Sequence, residues 1–249
     1  MSDTLLSCHG LNRRWGGLVA VDGVSLTFQR GHVHAVIGTN GAGKSTLINM
    51  LSGEIPPSAG RVELLGQDVT GWTQPRRARA GLGRSYQRNT VFGEFTVLEN
   101  CRLTAQSRFQ QPWAWWASAA RCEQSLQAAR EACAQAGLDS VLERPAGLLS
   151  HGQKRQLEIA MCLATAPQVL LLDEPLAGMG AEETERMLSL LAELRPRHAT
   201  LLVEHDMDAV FRIADWITVM VNGAVIASAA PDDIRTDPAV QSAYLGGHA

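Results

Sequence analysis

The stretch Gly38-Thr39-Asn40-Gly41-Ala42-Gly43-Lys44-Ser45-Thr46 decides how this chain folds. It matches the phosphate-binding pattern G-x-x-x-x-G-K-[ST]. The apolar, β-branched run 33–37 before it predicts a buried strand. After it, the apolar spacing of 44–52 predicts a helix that ends at Gly53. A strand, a glycine loop and a helix in this order predict a binding site for a nucleoside triphosphate.

The residue types in this stretch suit phosphate chemistry. Gly38, Gly41 and Gly43 let the backbone turn tightly and approach phosphate oxygens without a Cβ in the way. Backbone N–H groups at the start of the helix point at the ligand, where the positive end of the helix dipole also lies. We expect Lys44 to reach the outer phosphates and the Ser45 hydroxyl to bind Mg²⁺.

Composition limits the class of protein. The chain has 249 residues, of which 45% are hydrophobic, enough for one large α/β domain or two small ones. The net charge is −3 without a long run of one sign, so electrostatics give no reason to expect nucleic-acid binding. The five cysteines form no C-x-x-C pair, which favours reduced thiols in a cytosolic protein. The start does not resemble a secretory signal, and no apolar run reaches about 18 residues, so a membrane role is expected only through partners.

A second strand is expected to deliver carboxylates to the same region. The run 169–172 is continuously apolar, as in a central parallel strand covered on both faces, and it leads into Asp173-Glu174-Pro175. Ligands of open α/β sheets bind at the carboxyl ends of such strands. We therefore expect Asp173 to associate with Mg²⁺ and Glu174 to orient or deprotonate the attacking water.

Two further side chains are candidates for nucleotide contacts. His205 follows the apolar run 200–203, where it could contact the terminal phosphate. Trp15 lies in a predicted loop between the strand-like segments 5–8 and 24–28, which indicate an antiparallel flap beside the nucleotide core. Trp15 either stacks on the base or is an ordinary half-buried tryptophan, and the residues alone leave both open.

The segment 94–166 has a helical composition. Within it, the tryptophan cluster 113–116 is either core or a hydrophobic face for another protein, and we favour the face because aromatic residues are enriched in interface hot spots. Ser150 is expected to be the N-cap of a helix that follows it. Upstream, the basic cluster Arg76-Arg77-Arg79 is expected on a solvated helix face, with a phosphate or partner contact as the alternative. The other predicted elements are a strand at 61–65, a helix at 182–194, a hairpin of 216–221 and 224–228, and short helices at 231–235 and 238–245.

The ordered series of motifs resembles the nucleotide-binding domain of an ABC transporter. The matching residues are the phosphate loop 38–46, Gln87, Leu149-Ser150-His151-Gly152-Gln153, Leu171-Leu172-Asp173-Glu174-Pro175 and His205. The likeness covers essentially the whole chain, and the Ser-x-Gly-Gln signature separates this family from other phosphate-loop ATPases. Within the family, the chain is most similar to the ATP-binding subunits of branched-chain amino acid importers, in the segments 13–18, 83–87, 176–179, 204–207 and 243–246.

This resemblance implies an α/β phosphate-loop NTPase with a RecA-like core, an antiparallel β flap and an inserted helical subdomain. One nucleotide-binding domain would cover 1–249, with 1–87 and 167–249 as the catalytic core and flap, and 88–166 as the helical subdomain. The implied cofactors are ATP and Mg²⁺, and the implied activity is ATP hydrolysis that powers solute transport.

The resemblance also implies roles for residues outside the phosphate loop. Two cassettes would meet head to tail, so that Ser150, Gly152 and Gln153 of one contact the ATP on the phosphate loop of the other. Gln87 would sense the γ-phosphate and Mg²⁺, and Trp15 would stack on adenine.

The implied partners are two membrane-spanning permease subunits docked on the helical subdomain and a second ABC ATPase subunit. The second ATPase is either another copy or, as we favour, a different chain. A periplasmic or extracellular solute-binding protein would be an indirect partner. The implied location is the cytoplasmic face of the inner (plasma) membrane, reached through the permease subunits.

Some positions depart from the family pattern, and several functions stay open. Thr39 stands where proline is frequent, His151 stands where glycine is common, and 176–180 lacks an aspartate that many ABC proteins have there. The last departure makes communication between the two sites the least supported implication. Urea or amide import and lipopolysaccharide export are alternatives, because a cassette never touches the solute. A soluble ABC ATPase acting on ribosomes or DNA would carry two cassettes or long coiled coils. A phosphate-loop GTPase or kinase would lack the Ser-x-Gly-Gln signature.

Overall fold

The computed structural model describes residues 3–86, 91–109 and 123–245. The strands are β1 (Thr4–Trp15), β2 (Leu18–Gln29), β3 (Val33–Gly38), β4 (Ala59–Leu64), β5 (Gln67–Asp68), β6 (Leu82–Arg84), β7 (Val169–Asp173), β8 (Ala199–Val203), β9 (Trp216–Val221) and β10 (Ala224–Ala229). The α-helices are α1 (Lys44–Ser52), α2 (Gln74–Arg79), α3 (Val97–Phe109), α4 (Glu123–Gln135), α5 (His151–Leu163), α6 (Ala181–Leu194), α7 (Met207–Ile213), α8 (Pro231–Thr236) and α9 (Pro238–Leu245).

The larger sheet has the strand order β10-β9-β3-β8-β7-β6. β3 pairs in parallel with β8 and β9, and β7 pairs in parallel with β6 and β8. β3, β7 and β8 are buried along their whole length, as expected for parallel strands that are covered on both faces. The predicted α/β class is confirmed, and β3 and β7 occupy the predicted segments.

Alternate side chains of β7 fill two different cores. Leu170 and Leu172 pack with α3, α4, α5 and α6, whereas Val169 and Leu171 pack with α1 and the smaller sheet. This alternation follows from the two-residue period of a strand. It places the carboxyl end of β7, with Asp173 and Glu174, between two packed layers.

The smaller sheet has the order β2-β1-β4-β5, and its pairs are antiparallel, as predicted for a flap. β1 and β2 are longer than the segments 5–8 and 24–28 that the sequence predicts. Register shifts interrupt the pairing at several points, for example between Cys8 and Leu11. Because each shift breaks the alternation of apolar and polar residues, the sequence pattern reveals only part of each strand. Trp15, expected in a loop, is the last residue of β1 and pairs with Leu18.

The helices α3, α4 and α5 pack on one another and on the larger sheet. Small buried side chains line their contacts, and Cys101 Sγ on α3 lies 3.4 Å from Cys133 Sγ on α4. Within the described ranges, none of the helices is both long enough and apolar enough to span a bilayer. The tryptophan cluster 113–116 lies outside the described residues, so its predicted role as a partner face stays a prediction.

The expectation that the basic cluster on α2 faces solvent is wrong for Arg77. Its side chain is fully buried and donates to the carbonyl oxygens of Met50 and Leu51, both at 2.8 Å. Carbonyls in the last turn of a helix have no partner within the helix. The Arg77 guanidinium therefore caps α1 at its carboxyl end, a contact between distant segments that charge spacing alone does not reveal.

Candidate functional site

The phosphate loop connects β3 to α1 in the predicted position. Lys44 is the first residue of α1, Gly43 is its N-cap with φ of 100°, and no described side chain caps this helix start. Asn40 and Ser45 are exposed. The first N–H groups of α1 therefore have no side-chain cap in the described structure, and they are donors that an anion can use.

Two glycines of the loop are required because the backbone of other elements comes close. A Cβ on Gly38 would lie 2.3 Å from the carbonyl oxygen of Met220, and one on Gly43 would lie 2.3 Å from that of Ala20. Gly41 has φ of 81° but open space around it, so its requirement is conformational. The loop is thus held against β9 and the flap.

The turn between β9 and β10 supports the loop directly. Gly223 N–H donates to the carbonyl oxygen of Ala42 at 3.0 Å, and Asp22 N–H of β2 donates to the carbonyl oxygen of Gly223 at 2.9 Å. The sequence motif does not identify these supporting residues, because they come from segments far from it along the chain. The hairpin of 216–221 and 224–228 was predicted, but the contact of its turn with the phosphate loop was not.

The Lys44 side chain lies across the loop. Its Nζ donates to the carbonyl oxygens of Gly38 at 2.6 Å and Thr39 at 3.1 Å. Burial lowers the pKa of Lys44, while the nearby carboxylates of Glu174 and Asp173 act in the opposite direction. These interactions bring Lys44, Asp173 and Glu174 into one site.

Asp173 and Glu174 lie where β7 ends. Asp173 is 6% exposed, and burial raises its pKa against the opposing effect of Arg84. Glu174 adopts φ of +50°, and its N–H donates to the carbonyl oxygen of Val203 at 2.9 Å. A left-handed backbone at a residue other than glycine costs free energy and is frequent at functional sites. Here the β8 contact holds that backbone in place.

A fully buried carboxylate that the chemical motifs did not assign lies next to His205. Glu204 Oε1 accepts the N–H of Leu176 at 2.8 Å, and Glu204 Oε2 accepts the N–H of His205 at 3.1 Å. Burial raises the pKa of Glu204, and these two donors oppose the rise. The His205 side chain is 63% exposed, with Nδ1 3.7 Å from Glu204 Oε2. The only sequence signal for Glu204 is a carboxylate placed directly after an apolar strand.

The predicted N-cap at Ser150 is confirmed. The Ser150 hydroxyl accepts the N–H of Gln153 at 3.2 Å, and the Gln153 side chain accepts the N–H of Ser150 at 3.1 Å, which is a capping box. Ser150 Oγ and the N–H of Gly152 also contact Glu183 of α6. The Ser150 hydroxyl and the Gly152 N–H thus contact α6 of their own chain.

Of the remaining predicted residues, the structure describes Trp15 and Thr46 but not Gln87. Trp15 is 50% exposed at the end of the flap hairpin, with the Arg13 guanidinium carbon 3.8 Å from the centre of its ring. Ala20, on the other strand of this hairpin, touches the phosphate loop at Gly43. Thr46 lies half-buried in the first turn of α1. Gln87 lies outside the described residues, so its expected role is carried forward as a prediction.

Two family models match the chain. One, described as ABC transporter, matches residues 21–177. The other, described as branched-chain amino acid ATP-binding cassette transporter, matches residues 224–249. The first match contains the phosphate loop, the signature and the β7 carboxylates.

Relatives and solved structures agree with these matches. BraF of Pseudomonas aeruginosa, described as a high-affinity branched-chain amino acid transport ATP-binding protein, is 39% identical over 259 residues, and the alignment covers 99% of each chain. LivG of Escherichia coli (strain K12), with the same description, is 40% identical over 255 residues with the same coverage. The ADP conformation of MJ1267, an ATP-binding cassette of an ABC transporter, has a TM-score of 0.88 at 30% identity and covers 98% of this chain and 99% of its own.

These matches extend over nearly the full length, and the phosphate loop, the β7 carboxylates and the capped signature helix occupy the positions described above. The chain therefore belongs to the ABC transporter family, as an ATP-binding cassette.

Proposed function

We propose that the chain is the ATP-hydrolysing subunit of a membrane importer for branched-chain or related amino acids. The observation that carries the proposal is the 39–40% identity, over 99% of the chain, to ATP-binding proteins described as transporting branched-chain amino acids. The family match at residues 224–249 supports the same substrate class at the carboxyl end. The ordered site around the phosphate loop supports ATP hydrolysis.

In this proposal, each element of the site has one task. The N–H groups of the phosphate loop and Lys44 bind the β- and γ-phosphates, and Trp15 stacks on adenine. Ser45 and Asp173 would hold Mg²⁺, which neutralises phosphate charge, and a buried carboxylate at a strand end suits that cation. Glu174 positions and deprotonates the attacking water.

The proposal gives the remaining residues roles at the terminal phosphate and between subunits. His205 and Gln87 contact or sense the γ-phosphate. Ser150, Gly152 and Gln153 complete the ATP site of a second cassette, which faces this one head to tail. Closing that pair excludes all water but the attacking molecule.

The proposal divides the chain into the core and flap, at 1–87 and 167–249, and the helical subdomain at 88–166. Two permease subunits dock on the helical subdomain and hold the chain at the cytoplasmic face of the membrane. A solute-binding protein outside delivers the amino acid and has no contact with this chain.

The experiment that tests this function is co-purification of the tagged chain from membranes in mild detergent, with mass spectrometry of the proteins recovered. We expect two polytopic permease subunits and a second cassette. The solute-binding protein that functions with those permeases then provides the substrate, through its ligand preference in a binding assay. Recovery of ribosomes or DNA, or of nothing from the membrane, would contradict a role in a transporter, whereas the proposed ATPase activity would stand.

A further inference from the structure

The signature residues already hold an anionic group of their own chain. Glu183 lies in the first turn of α6, and its Oε1 accepts the Ser150 hydroxyl at 3.0 Å and the Gly152 N–H at 3.2 Å. A Cβ on Gly152 would lie 2.7 Å from Glu183 Cδ. Glycine at 152 therefore permits the carboxylate to come this close.

These two donors are the ones that the proposed function assigns to the ATP of the facing cassette. Both belong to the start of α5, where the helix dipole and N–H groups favour an anion. A carboxylate oxygen accepts from them as a phosphate oxygen would. The hydrogen bond from Ser150 is the main cause of a lowered pKa at Glu183, so the carboxylate stays ionised at neutral pH.

We propose that Glu183 occupies the γ-phosphate position of the signature in the single chain and must leave Ser150 and Gly152 before the facing cassette's ATP can bind there. This inference rests on the head-to-tail arrangement in the proposed function. The carboxylate and the phosphate cannot share the donors, because both are negative and both need the same two hydrogen atoms. Closure of the pair therefore loses two hydrogen bonds of Glu183, and it needs more ATP than it would without that side chain.

Arg186 is a cation on the same helix that the displaced Glu183 carboxylate can approach. Arg186 pairs with Glu182 on the exposed face of the same helix. Arg186 is also three residues from Glu183, and side chains at this spacing are neighbours on a helix surface. The inference therefore requires a change of the Glu183 side-chain rotamer, and Arg186 is the cation nearest to it along the helix surface.

The test measures ATP-driven dimerisation of the full chain by analytical ultracentrifugation. All variants carry Glu174→Gln, which slows hydrolysis, and are studied with Mg²⁺ and ATP, alone and mixed with the second cassette from the co-purification. Glu183→Ala is expected to lower the ATP concentration for half-maximal dimer roughly three- to tenfold, the effect of about one net hydrogen bond. Glu183→Gln keeps an oxygen for both donors but loses the charge, so a smaller shift in the same direction is expected.

Glu193→Ala is the control, because it removes the same charge from an exposed position in the last turn of α6, far along the helix from the turn that contacts the signature. It is expected to leave the ATP dependence unchanged. Binding of a fluorescent ATP analogue to the single chain verifies that each variant is folded. Equal shifts in Glu183→Ala and Glu193→Ala, or no shift in Glu183→Ala and Glu183→Gln, would overturn the role of Glu183. If the parent chain forms no dimer in either setting, the head-to-tail arrangement fails and the inference fails with it.

Discussion

Glu204 joins the two loops that carry the proposed catalytic groups. Its two carboxylate oxygens accept one N–H from Leu176, after Glu174, and one from His205. Because the side chain is fully buried, neither hydrogen bond is exchanged with water. We therefore infer that Glu204 is a positioning residue that sets the distance between Glu174 and His205.

Glu204→Gln tests this role with little change in size. A glutamine offers one oxygen and one NH₂ group, so one backbone N–H would face another donor. We expect kcat for ATP hydrolysis to fall roughly ten- to hundredfold, as for a small misplacement of catalytic groups, while ATP affinity changes little. Steady-state ATPase kinetics measure the change in kcat, and equilibrium ATP binding measures the change in affinity. Equal losses in kcat and in binding would indicate a general structural defect instead.

Glu174→Gln tests the proposed catalytic carboxylate. The amide keeps the side-chain length but cannot take a proton, so we expect ATP turnover to fall at least about a hundredfold with ATP affinity retained. The measurement is phosphate release at saturating ATP, with Glu193→Gln on α6 as a surface control. Turnover close to that of the unmodified chain would remove Glu174 from this role.

At the scale of single residues, the sequence predicts the residues of local motifs and misses their distant partners. Ser150 could be identified as an N-cap because the capping box is complete within four residues. Its contact with Glu183 depends on how α5 and α6 pack, which no local pattern contains. Glu204 is missed for the same reason, because the burial of a carboxylate is a property of the assembled sheet.

At the scale of elements, β3 contains a histidine that the core holds in its neutral form. His34 Nε2 lies 2.7 Å from Thr218 Oγ1 on β9, and Nδ1 lies 3.2 Å from the carbonyl oxygen of Thr27 on β2. Burial lowers the pKa of His34 to about 4, from 6.5 for an ordinary histidine. One histidine of the strand that leads into the phosphate loop thus connects the two sheets.

The lowered pKa of His34 makes the free energy of unfolding depend on pH. Below pH 6.5 the unfolded chain binds a proton at His34 while the folded chain does not. The free energy of unfolding is therefore highest above this pH, and it decreases as the pH falls towards about 4. Between pH 7 and 5 the loss from this residue is about 2 kcal/mol. Urea unfolding at both pH values measures this loss of unfolding free energy. In His34→Leu the loss should be smaller than in the unmodified chain by about 2 kcal/mol. An unchanged difference would contradict the assignment.

The elements were predicted best where one residue pattern persists. β7 and α6 start and end within one residue of the predicted segments 169–172 and 182–194, because a continuous apolar run and a helical apolar stripe are each uninterrupted. β1 and β2 were underestimated because their register shifts disturb the period. The capping role of Arg77 was missed because its partners, the last carbonyls of α1, lie in another segment.

At the scale of the whole molecule, Arg155 connects the signature helix α5 to the segment that follows β6. Its Nη1 donates to the carbonyl oxygen of Tyr86 and to Glu158 Oε2, both at 2.9 Å. Both ionic side chains are almost completely buried. Tyr86 is the residue before Gln87, so α5 is linked through Arg155 to the backbone that leads to the proposed γ-phosphate sensor.

Arg155→Met should destabilise the chain by about 3 kcal/mol, since removing one member of a buried ion pair leaves the other charge poorly compensated. Urea unfolding at neutral pH measures this loss. Lys154→Met, one residue earlier on α5, is the control and is expected to change stability by less than about 0.5 kcal/mol. Adding Glu158→Leu to Arg155→Met should recover part of the loss, and a further loss in the double variant would contradict a pairing of these two charges.

The support of the phosphate loop has a consequence for how the protein is made. The loop ends at Thr46, but Met220 packs against Gly38, Gly223 holds Ala42, and β8 and β9 flank β3. A ribosome delivers the chain from its amino end. The nascent chain therefore carries a complete loop motif long before it carries the strands that shape it. We therefore expect the loop to bind nucleotide only after β8 to β10 have been made.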